Sequence, residues 1–76
     1  MAFPLNEVEF SFDACTVVYK KDGAIPNLWR AEVRSKNPAQ LPVKFDWYSP
    51  KIPNIAVAQV VYVRWVKGEP LNYQAN

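Results

Sequence analysis

Histidine is absent from this chain, cysteine occurs once and glycine twice. Without histidine, no side chain has an ordinary pKa near neutrality, so histidine-based nucleophilic triads and histidine metal sites are excluded. One thiol, Cys15, can neither close an internal disulfide nor build a tetrahedral thiolate site. With Gly23 and Gly68 alone, neither a Walker A loop nor a GxGxxG loop can be assembled. No apolar run of about 18 residues is present, so no membrane span is expected. The opening Met-Ala-Phe-Pro-Leu-Asn carries no basic residue and resembles no export or organelle leader. Together with the lone thiol, this makes the cytoplasm the expected compartment, and Cys15 is expected to be a small buried filler.

Charge of one sign is also scarce. Nine Lys or Arg stand against seven Asp or Glu, a net +2, and the signs interleave along the chain. That balance gives little pull towards a polyanion. What is abundant is apolar surface: half of the 76 residues are hydrophobic and three are Trp. A domain of this size buries only about 60% of its unfolded surface, so one core must use nearly all of that material. No repeat, linker or low-complexity segment divides residues 1–76, which read as one small β-domain with a short tail from about residue 71.

Residues 7–19 alternate with period two. Val8, Phe10, Phe12, Ala14, Thr16 and Val18 share one parity, opposite Glu7, Glu9, Ser11 and Asp13. From Cys15 the second parity turns apolar as well, through Val17 and Tyr19. An unbroken strand of that length exceeds the width of so small a domain, so a bend, break or bulge is expected at Asp13–Ala14–Cys15. Asp22–Gly23 reads as a tight hairpin turn with positive φ angles. Residues 28–35 alternate again, with Trp29, Ala31 and Val33 inward, and pair naturally with residues 12–19. Pro38 and Pro42 mark a loop. Val43, Phe45 and Trp47 then share one face of a strand whose other face is Lys44, Asp46 and Tyr48.

Residues 55–66 are ambiguous. Six β-branched residues (Ile55, Val57, Val60, Val61, Val63, Val66), with Tyr62 and Trp65, favour a central strand covered on both faces. The competing frame is a helix capped by Asn54 and ended by Gly68. The expected fold is therefore all-β, or β with one C-terminal helix: a small antiparallel barrel or strongly curved sheet of four to six strands. It is similar in outline to SH3-like or OB-like barrels, with no motif that singles out a family.

Acid-base chemistry would have to come from Glu7 and Glu9, which are simply the wet face of a strand in the usual case, so no catalytic, metal or cofactor site is expected. Two functions of different class remain. In the first, the chain is a non-catalytic protein-interaction module, an accessory subunit or regulator that occupies a partner's surface. Proline-stiffened loops carrying Leu41 and Ile52 beside Trp47 and Tyr48 would form low-entropy contacts. In the second, Tyr48 and Tyr62 with Arg30, Arg34, Lys44 and Arg64 form a stacking and phosphate-following surface for single-stranded nucleic acid. Trp29, Phe45, Trp47 and Trp65 are expected in the core. An unpaired strand edge would also admit a second copy of the chain in a symmetric dimer.

Overall fold

The computed structural model describes residues 7–71. Among them β1 (Glu7–Ser11), β2 (Cys15–Lys21), β3 (Leu28–Ser35) and β4 (Val43–Tyr48) are followed by α1 (Ile55–Lys67). The strands form an antiparallel meander in the order β1-β2-β3-β4. β1 and β4 do not pair, so this is an open curved sheet with a C-terminal helix, and no barrel closes.

Alternation dictates the layers. The rows Val8–Tyr19–Ala31–Phe45 and Phe10–Val17–Val33–Val43 run across all four strands on one face. Ala58 and Val61 of α1 bury against that face in one core with Cys15, Val17, Tyr19, Trp29, Ala31, Val33 and Leu71. Each fully buried Val or Leu contributes roughly 1.5–3 kcal/mol relative to exposure. Tyr19 is the hub: Phe10, Phe45 and Trp47 stand edge-on to its ring at 6.3, 6.5 and 5.5 Å. Trp29, Phe45, Trp47 and Trp65 all belong to this core or pack against it, as expected.

The break expected in the long alternation is present, and it is a full reversal at Phe12–Ala14: the Phe12 amide donates to the Cys15 carbonyl at 2.8 Å and a hairpin forms. The reversal resets parity, so Cys15, Val17 and Tyr19 turn to the core while Thr16 and Val18 turn to the opposite face. The chain reverses after Lys21, as expected, through a connection that runs from Asp22 to Asn27; the left-handed residue is Asn27 at φ 62°, where Gly23 was expected to supply it. Asp22 Oδ1 accepts the Ala24 amide at 2.8 Å, and this side-chain turn stands in for a glycine-led one.

Residues 55–66, expected foremost as a strand, are helical. The ends explain it. Asn54 Oδ1 accepts the Val57 amide at 3.0 Å, and after Lys67 the chain turns left-handed at Gly68 (φ 76°). There the Glu69 amide reaches the Arg64 carbonyl at 2.8 Å and the Gly68 amide reaches Trp65 at 3.1 Å. No Gly or Pro lies between the caps. The β-branched residues cost only a few tenths of a kcal/mol each in a helix. Four strands with one apolar face need a covering layer, and a helix supplies it. The short tail expected from about residue 71 lies outside the described residues from residue 72 on, and Leu71 itself is buried.

Candidate interaction surfaces

Arg30, Arg34, Lys44 and Tyr48 gather on the face of the sheet turned away from α1. There the register builds rows of charge: Glu7–Lys20–Arg30–Asp46 and Glu9–Val18–Glu32–Lys44. Lys20 faces Arg30 directly, a like-charge pair that is unfavourable on its own. Carboxylates compensate, since Arg30 reaches Asp22 at 3.4 Å and Asp46 at 3.6 Å. Arg34 Nε donates to Glu32 at 2.6 Å, which holds the guanidinium even more firmly protonated. The Ala24 amide, and next the Arg30 guanidinium, hold the Asp22 carboxyl below its usual range. The result is an open concavity of about 890 Å³ between Lys20, Arg30, Glu32, Arg34 and Lys44.

This face offers Lys20, Arg30, Arg34 and Lys44 against Glu7, Glu9, Glu32 and Asp46, four cations to four carboxylates. A phosphate backbone would meet as much repulsion as attraction along it. Tyr62 and Arg64 lie elsewhere, on α1. Tyr62 stacks on Phe12 at 4.8 Å and 5°, and Arg64 Nε donates to the Pro70 carbonyl at 2.8 Å. The two tyrosines expected to share a stacking platform thus stand on different layers, Tyr48 on the charged sheet face and Tyr62 on the helix.

Leu41 and Ile52 occupy the β3–β4 and β4–α1 loops, with 85% and 55% of their surfaces exposed. Both loops are internally bonded. Ser35 Oγ donates to Gln40 Oε1 at 2.5 Å and Asn37 Oδ1 accepts the Ala39 amide at 3.0 Å in the first, and the Lys51 amide donates to Ser49 Oγ at 3.1 Å in the second, which Trp29 Nε1 of β3 also anchors by donating to the Ser49 carbonyl at 3.2 Å. These are stiff loops with single apolar tips, as the prolines imply.

The largest apolar surface was not among the expected site residues. α1 turns Val57, Ala58, Val61, Tyr62 and Trp65 to the sheet, a stripe with the spacing of one helix face. Its outer side, which also bears Gln59, Arg64 and Lys67, carries exposed aliphatic residues too: Ile55, Val60, Val63 and Val66 are 56, 49, 41 and 60% exposed. A groove of about 540 Å³ follows this side past Ala56, Val60 and Val63 to Arg64, Lys67 and Glu69. The signal was present in the helix frame from Asn54 to Gly68. Wound at 100° per residue, that segment has valine on every side.

Burial pushes the Cys15 thiol up, opposed in part by the positive charge of Lys36. Among the described residues no three His, Cys, Asp or Glu side chains cluster to hold a metal ion, and no helix is long and apolar enough to cross a membrane. Comparison with known proteins yields no match: no family, no curated protein and no solved structure is significantly similar to this chain.

Proposed function

We propose that this chain is a non-catalytic protein-interaction module, an accessory subunit or regulator, whose docking surface is the outer side of α1. One observation carries the reading. The sheet covers only one side of this helix, yet Val60, Val63 and Val66 stand exposed on the other, among Gln59, Arg64 and Lys67. Scattered exposed apolar residues are ordinary on a soluble domain, but Val60, Val63 and Val66 follow one another every third residue along a single helix. Valine is also a poor choice for a helix surface that has no packing to do, since Lys, Glu or Gln would form the helix better.

The double substitution Val60→Gln with Val63→Gln tests this reading. The variant is expected to keep the wild-type circular dichroism and melting temperature while losing a protein that the wild-type chain recovers from its own cells. Recovery of the same protein by both forms would move the docking surface elsewhere, with Leu41 and Ile52 next in line. Retention of the chain in the cytoplasm belongs to the same proposal, and fractionation with the soluble cytoplasmic pool is its check.

A further inference from the structure

We infer that the occupant of the outer side of α1 is a single amphipathic helix from a partner protein, its apolar stripe flanked by carboxylates. The inference rests on the docking reading above and adds the partner's size and sign.

Size comes first. Thirteen helical residues span roughly 20 Å at about 1.5 Å per residue, and the exposed stripe is one helix wide. Stable association of two globular surfaces needs about 800 Å² from each partner, far more than such a strip supplies. A strip one helix wide on a helix of under four turns, beside a groove of about 540 Å³, matches one partner helix laid along it.

Sign comes from the charges that surround the strip. Between Asp46 and Glu69 the chain carries no carboxylate, and its cations there are Lys51, Arg64 and Lys67. Arg64 and Lys67 edge the groove, with Glu69 the one carboxylate at its mouth. Their place in the last turn suits the dipole of α1 itself. Any helix laid beside Val60 and Val63 must still run past them. Carboxylates on that helix gain from the encounter, and lysines lose. A second copy of α1 would bring no carboxylate from the helix and two further cations, so this chain is a poor partner for itself here.

The probes are two fluorescein-labelled synthetic helices of about 18 residues with the same leucine stripe at i, i+3, i+4 and i+7, one flanked by Glu and the other by Lys. Fluorescence anisotropy at low salt is expected to show the Glu peptide binding at least about tenfold more tightly than the Lys peptide. Lys67→Glu should bring that ratio to near one or invert it. Lys67→Gln, which leaves no adverse charge at the helix end, should reduce it part of the way. Val60→Gln with Val63→Gln should remove binding of both peptides. Equal binding of the two peptides by the wild-type chain would overturn the acidic partner and leave the docking surface standing. If neither peptide binds while the double variant still loses its cellular protein, the helical occupant is wrong and the surface is right. A dimer in sedimentation equilibrium that Val63→Gln dissociates would replace the partner helix with a second copy.

Discussion

The outer face of the sheet and the outer side of α1 both meet solvent, and they meet it differently. On the outer sheet face Val18 and Leu28 are buried, and the charged residues around them pair: Arg30 with Asp22 and Asp46, Arg34 with Glu32. On the helix, four large aliphatic residues stand where paired charges would be expected. The sheet face is complete as a free surface, because its charges answer one another within the chain. The helix is complete only on its inner side. Exposed ion pairs contribute little each, so the difference concerns association far more than stability. A chain with so small a core has little reason to leave four aliphatic side chains wet unless another molecule covers them.

The sharpest way to break the contrast within α1 is to charge its inner side. Ala58 is fully buried, and its small side chain lets the helix approach β2 closely. Ala58→Asp would place an unpaired carboxylate there and is expected to cost at least about 3 kcal/mol, enough to unfold much of a marginal domain. Urea denaturation measures it. A loss below about 1 kcal/mol would mean that α1 is not seated as described.

The two glycines come next, and they are expected to differ in sign. A Cβ at either meets nothing within 4 Å, so backbone conformation alone decides. Gly68 is left-handed at φ 76°, so Gly68→Ala should destabilise by about 1–2 kcal/mol. Gly23 is not, so Gly23→Ala should stabilise by about 0.4–1 kcal/mol through the unfolded chain. Equal costs at both sites would restore the tight Asp22–Gly23 hairpin.

Tyr19 marks where the core itself is imperfect. Its hydroxyl is buried and finds no hydrogen-bond partner among the described residues. Tyr19→Phe should therefore stabilise the fold by about 1 kcal/mol at pH 7. Burial raises the Tyr19 pKa far above its ordinary value, so the folded state holds the neutral phenol. The unfolded chain releases that proton near pH 10, and the folded chain does not. Stability is thus fully present below about pH 10 and falls above it by roughly 1.4 kcal/mol per pH unit on account of this group. Denaturation curves at pH 9 and pH 11 should show the advantage of Tyr19→Phe widening. A gap that stays constant would mean that the phenol ionises in the folded state as it does in the unfolded one.

Much of the sheet could be read from residue order because side-chain direction in a strand depends only on parity. Trp29, Ala31 and Val33, then Val43, Phe45 and Trp47, face the core as the period of two requires. The same rule fails across Phe12–Ala14, where a reversal only three residues long resets the count and carries Val18 to the charged face. For α1 the local signals conflicted. Six β-branched residues spoke for a strand, while Asn54 and Gly68 spoke for a helix, and only the need to cover an open sheet settles the matter. The candidate site went the same way. As a strand covered on both faces, Val60 and Val63 would have been core, and they become surface only when the segment is wound as a helix. Arg30, Arg34 and Lys44 share one face of the sheet, and the carboxylates interleaved with them became visible only in the register.

The smallest expected change in stability separates the two sides of α1 most cleanly. Val60→Gln with Val63→Gln replaces two half-exposed β-branched residues by better helix formers on the side that touches nothing within the chain's own core. Lost apolar burial and gained helix propensity nearly offset, and the denaturation midpoint should move by less than about 0.5 kcal/mol. A loss of 2 kcal/mol or more would mean that these valines pack within the chain, and the case for a partner would go with it. An unchanged midpoint leaves the two valines without a packing role inside the monomer, as the proposed docking surface requires.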